Sequence, residues 1–158
     1  MKNISEKLGT TGTTIATVIT IVTGVFACWQ IYKNASQKNV AGAWKLKFTN
    51  LTSSYKPYIG ETHVQNVSFS QNGCEITGDG EKCEYNGIAL PSTQHRIIEY
   101  KGSIEDDCIK AIYKLYGRDR ISSGNIEVMI SDDGKTLTGN FLGTAGNTAG
   151  TVTGERID

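Results

Sequence analysis

The stretch that decides the fold is Asn125-Ile126-Glu127-Val128-Met129-Ile130-Ser131-Asp132-Asp133-Gly134-Lys135-Thr136-Leu137-Thr138-Gly139-Asn140-Phe141. Ile126, Val128 and Ile130 alternate with Glu127, Met129 and Ser131, the period of two that puts one side of a strand in a core and the other in water. Asp132-Asp133-Gly134 then supplies turn residues, and the alternation resumes at Leu137, Gly139 and Phe141. This spacing predicts an antiparallel hairpin with one buried face.

The same pattern extends in both directions. Upstream, Trp44, Leu46 and Phe48 alternate with Lys45, Lys47 and Thr49; a second segment over about 60–71 turns Val67 and Phe69 inward. Asn72-Gly73 reads as a hairpin turn into Cys74, Ile76 and Gly78. The stretch from Gly80 to Ser92 is irregular and reads as an excursion at the mouth of a barrel. Next come a strand with Ile98 and Tyr100 inward, a bend near Gly102, and a long strand carrying Ile109, Ala111, Tyr113 and Leu115. Gly117-Arg118-Asp119-Arg120 is a turn, and Thr151 to Ile157 supplies the last strand. Glycine weakens a strand interior unless it permits a sharp bend or a bulge. Its recurrence here predicts an all-β domain over residues 40–158, a small antiparallel eight-stranded β-barrel, with a flattened sandwich as the alternative.

Composition excludes several function classes. The chain has 158 residues, with 16 basic and 16 acidic side chains. Lys2, Lys7, Lys33, Lys38 and Glu6 precede residue 40, which leaves 12 basic and 15 acidic residues after it. Such a balance does not suit a DNA or RNA polymer as partner. Cys28, Cys74, Cys83 and Cys108 show no paired metal-ligand spacing, and a Cys74–Cys83 bridge is the one conceivable disulfide. His63 and His95 fall in different segments, and no catalytic triad, metal set or phosphate-cradling loop is spaced for chemistry. Asp106-Asp107 reads as a solvated strand end. The sequence therefore predicts no enzyme, no catalytic residue, no metal site and no cofactor.

Residues 1–39 read as a transmembrane anchor and linker. Residues 8–32 are 25 consecutive uncharged positions, about 37 Å as a helix, against a hydrocarbon core of about 30 Å. The apolar part is 15–32, ended by Trp29, Tyr32 and Lys33 as at a membrane interface. Thr10, Thr13, Thr17, Thr20, Gly24 and Ala27 recur at steps of three and four, a seam of small residues that predicts self-association in lipid; an anchor without a partner is the other reading. Lys33, Lys38, Lys45 and Lys47 outnumber Lys2 and Lys7, which directs the β-domain to the cytoplasm of a single-pass protein. Val25-Phe26-Ala27-Cys28 offers a rival reading, cleavage and lipidation at Cys28.

The candidate ligand contacts are the aromatic and cationic residues expected near strand ends: Trp44, Arg96, Tyr100, Tyr113, Tyr116, Arg118 and Arg120. Tyr and Trp stack on rings, and Arg clamps a phosphate in a fork. For Trp44, Tyr100 and Tyr113 the competing reading is core packing; for Arg118 and Arg120 it is a solvated turn.

The short N-terminal membrane segment, Gly42-Ala43-Trp44, Tyr100-Lys101-Gly102, Tyr113 and Asp133-Gly134-Lys135-Thr136-Leu137-Thr138-Gly139 together resemble the membrane-anchored β-barrel effectors of bacterial cyclic-oligonucleotide-based anti-phage signalling systems (CBASS and related systems). The resemblance implies a barrel that senses a cyclic di- or oligonucleotide, assembly in the inner membrane, and membrane disruption that kills the infected cell. This chain shows one clear span where that family often has two. A lipidated, lipocalin-like carrier of a small hydrophobic molecule is the competing expectation, and a purely structural anchor the third.

Overall fold

The computed structural model describes residues 37–157. Residues 1–36 of the anchor and linker expected over 1–39 lie outside the described residues, as do the seam residues Thr13, Thr17, Thr20 and Gly24, and Cys28.

Among the described residues nine strands follow one another: β1 (Gly42–Thr52), β2 (Thr62–Asn72), β3 (Glu75–Tyr85), β4 (Ile88–Ala89), β5 (Arg96–Glu105), β6 (Cys108–Tyr116), β7 (Ile121–Ile130), β8 (Thr136–Gly143) and β9 (Thr148–Ile157). Every pairing is antiparallel, and β9 returns to pair with β1 while β2 pairs with β3. Eight strands thus close an up-and-down barrel, and the two-residue β4 hangs on β3 outside the circuit. Closure removes the unpaired edges that an open sheet of this size would expose.

Two glycines show how so small a barrel closes. A Cβ on Gly139 would meet the Glu127 carbonyl oxygen at 2.0 Å, and one on Gly150 would meet that of Thr49 at 1.9 Å. Neighbouring strands approach there more closely than a side chain allows. A bulge sets Leu51 out of register between β1 and β9, and another sets Cys83 out of register between β2 and β3; both add local twist.

Three strand expectations need correction. β3 continues through Tyr85, so the excursion spans only 86–95. Gly102 sits inside β5 opposite Ala111, and the turn falls at Asp106-Asp107, where Asp106 takes φ 53°. The last strand begins at Thr148. In each case glycine was spent on close strand approach and not on a turn.

The lumen is filled. Trp44, Leu46, Phe48, Phe69, Tyr100, Tyr113 and Phe141 join the isoleucines and valines of the inward face in one cluster. Phe48 meets Phe141 and Tyr113 edge-on, with centroids 5.2 and 6.1 Å away, and Phe69 meets Tyr100 at 5.5 Å. Tight turns at 73–74, 106–107 and 131–135 occupy one end, the base. Residues 37–41 strap across it: Val40 accepts from Trp44 Nε1 at 2.8 Å and donates to Gln71 Oε1 at 2.9 Å, while Lys38 Nζ reaches Asp107 at 2.9 Å and Asp132 at 3.3 Å. The longer connections 53–61, 86–95, 117–120 and 144–147 gather at the opposite end, the mouth.

Candidate functional site

Strand register determines which polar side chains enter the mouth. On β2 and β3 the inward positions pair Val67 with Gly80, then Gln65 with Lys82, and on β5 Lys82 pairs with Arg96. The bulge at Cys83 then shifts register so that Tyr85 pairs with His63. Lys82, Tyr85, Leu90, Gln94, Arg96 and Arg118 line a cavity of about 350 Å³. Three cations from β3, β5 and the 117–120 turn converge there, and the Lys82 ammonium lies 4.5 Å from the Tyr85 ring centroid.

The electrostatics suit an anion. Burial lowers the Lys82 pKa, the carboxylate of Glu61 raises it in opposition, and Arg96 lowers it further. Glu61 also accepts a short hydrogen bond from the Tyr85 hydroxyl, and burial helps push that phenol up to about 12. An arriving anion would relieve the repulsion between Lys82 and Arg96 in a partly desolvated setting, where charged hydrogen bonds are strongest. Beneath the cavity, Gln65 is 1% exposed and accepts a hydrogen bond from Tyr100 at Oε1, while its Nε2 has no partner. An orphaned donor at that depth costs about 1–3 kcal/mol. His63 lies flat on Phe48, at 4.7 Å and 5°, and is held neutral, its pKa lowered to about 3 by burial and by Lys82.

The residues singled out from sequence separate. Arg96 and Arg118 enter the cavity. Tyr100 and Tyr113 lie in the packed lumen below it, which is the core reading. Arg120 Nη2 donates to the Tyr58 hydroxyl at 3.3 Å, linking the 117–120 and 53–61 connections across the mouth. Tyr116 donates to Glu99 at 2.6 Å and, one position from inward-facing Leu115, belongs to the outer wall. Trp44 is buried at the base, a barrel length away from the cations. Lys82 and Tyr85 are not among the residues that the sequence singles out, because the irregular stretch expected from Gly80 hides the second half of β3. The available signal was the alternation of Lys82 with Gly80 and Gly78.

A larger hollow of about 780 Å³ lies along the outer wall, lined by Leu51, Ile112, Leu142, Ala149 and the stems of Lys101 and Lys110. It is apolar; the mouth gathers the polar chemistry. Among the described residues, no three His, Cys, Asp or Glu side chains are grouped to hold a metal ion, and Cys83 and Cys108 are not in disulfides, so the conceivable Cys74–Cys83 bridge is not formed.

Comparison with known proteins finds no matching family model, no similar curated protein and no similar solved structure. The class defined by the coordinates is an up-and-down, eight-stranded β-barrel with a cationic mouth.

Proposed function

We propose that the barrel is the sensing domain of a membrane-anchored anti-phage effector, binding a cyclic di- or oligonucleotide at its mouth. The carrying observation is the convergence of Lys82, Arg96 and Arg118 with the Tyr85 ring in one cavity. Phosphodiesters need such cations because the domain as a whole is acidic, and a base can stack on a phenol. Binding then favours self-association of the N-terminal helix in the bacterial inner membrane and disrupts it. A ligand can do this only by binding the assembled state more tightly. A hydrophobic carrier is less well supported, since the lumen is occupied by aromatic side chains.

The test is calorimetric titration of the full chain in detergent micelles with cyclic di- and trinucleotides. Arg96→Glu and Arg118→Glu should each weaken binding about tenfold or more, the worth of a charged hydrogen bond, while Thr49→Ser leaves it unchanged. Absence of heat with every cyclic nucleotide, alongside binding of a fatty acid, would replace this reading with the carrier.

A further inference from the structure

The 86–95 connection carries a histidine whose two ring nitrogens face two acceptors. His95 Nδ1 lies 2.9 Å from the Glu81 carboxylate on β3, and Nε2 lies 2.9 Å from the Leu90 carbonyl of its own loop. A neutral imidazole has one N–H and can satisfy only one of them; the other nitrogen would present a lone pair to an oxygen. Both contacts are hydrogen bonds only when the ring is the imidazolium. The loop closed by this ring supplies Leu90 and Gln94 to the lining of the mouth.

We propose that His95 is a proton-dependent latch that closes the 90–95 segment on itself at the lip of the mouth, while Glu81 and the β3–β4 pairing keep the flap on β3. Its link to ligand access rests on the reading of the mouth as a binding site; the latch itself does not. When the proton leaves, the remaining N–H stays with Glu81, because a charged acceptor outcompetes a carbonyl. The contact to Leu90 is therefore the one lost, and the segment Pro91 to Gln94 is freed from its only ring-mediated tie.

The charged surroundings are few. Glu81 faces the ring from β3, and its neighbour Lys82 turns into the mouth. On β5, Arg96 Nη1 donates to the His95 carbonyl at 3.0 Å. Asn66, opposite Glu81 on β2, is uncharged, and residues 86–94 carry no charged side chain. The hydrogen bond to Glu81, followed by that to Leu90, raises the His95 pKa above 6.5, with desolvation opposing. The sign follows: the latch is fully formed below pH 6.5 and is lost as pH rises through the raised value.

Hydrogen exchange of the ligand-free full chain in micelles reads the latch without any nucleotide. The reporting amides are Gln94, which donates to Pro91, and His95, which donates to Ser92; Leu90, which donates to Cys83 on β3, is the internal control. After correction for intrinsic rates, protection of Gln94 and His95 should fall about tenfold between roughly pH 5.5 and 8.5, the worth of one charged hydrogen bond. His95→Phe should be poorly protected at both values. Glu81→Gln should move the transition to lower pH. Unchanged protection in the native chain, or the same pH response in His95→Phe, would overturn the latch. A working latch with no nucleotide binding would instead refute the mouth as sensor.

Discussion

Arg156 stands directly across from Trp44 in the β1–β9 register, with its guanidinium carbon 5.4 Å from the indole centroid. The same guanidinium donates to the Asn39 carbonyl at 3.1 Å and to that of Ala41. One side chain from the last strand therefore covers the largest ring of the base and holds the strap that leads toward the N-terminal segment. Arg156→Ala should cost about 2 kcal/mol in chemical denaturation, from cation–π and charged hydrogen-bond losses together. Arg156→Lys should recover less than half, since an ammonium cannot reach two carbonyls as a planar fork does. Equal stability of all three proteins would remove the strap from the account.

The inward glycines make a sharper stability prediction. Gly139→Ala places a methyl 2.0 Å from a backbone oxygen that cannot rotate aside. It should cost more than about 3 kcal/mol or prevent closure, as other severe core strains do. Gly134, in the 131–135 turn, has φ +69° and open space around it, so Gly134→Ala should cost only about 1–2 kcal/mol. Thermal unfolding of the two variants side by side distinguishes them. Similar shifts would mean that the strands are not held as closely as described.

His63 sets an acid limit on stability. Its folded pKa, about 3, lies below the ordinary 6.5. A depressed base stabilises the fold fully above pH 6.5, and that contribution is lost as pH falls toward 3, because only the unfolded chain takes the proton. The slope is at most about 1.4 kcal/mol per pH unit across that window, less wherever water reaches the ring. His63→Phe, which keeps the stack on Phe48, should flatten the slope between pH 6 and 4 in urea titrations. An unchanged slope would assign acid lability to other groups.

Much of the fold was legible because local and tertiary signals agree. Ile126 to Phe141 carries period two and a turn triplet, and the structure pairs Ile126 with Phe141 and Ile130 with Leu137. The difficulty came where one residue type serves two ends. Gly80 and Gly102 read as punctuation, yet both lie within strands where a Cβ would meet backbone at 2.2 and 2.1 Å. Reading Gly80 as a break hid Lys82, and an inward-facing lysine is itself contrary to the apolar alternation on which strand reading depends. Arg96 and Arg118 could be found as cations near strand ends, but their convergence is a property of closure between β3, β5 and the 117–120 turn. Trp44 shows the opposite limit: pattern told that it faces inward, and nothing in the pattern told which end it occupies.

Lys82 provides a test of the mouth that does not depend on which nucleotide is bound. Burial, opposed by the Glu61 carboxylate and reinforced by Arg96, disfavours its ammonium, so its pKa lies below 10.5. A phosphate beside it favours the charged form and raises that pKa. Between the two values, the bound protein holds more protons than the free one, so binding must take protons from the buffer. Calorimetry of the full chain with a cyclic dinucleotide over a pH series, in two buffers of different ionisation enthalpy at each pH, should show this proton uptake on the acid side of the ordinary lysine pKa, and the uptake should decline as falling pH charges Lys82 in both states. Lys82→Arg should bind without uptake, because a guanidinium keeps its proton throughout. Lys82→Met should bind about tenfold more weakly, again without uptake. Uptake that persists in Lys82→Arg would place the titrating group elsewhere, and binding that is indifferent to Lys82→Met would remove this side chain from the anion's contacts.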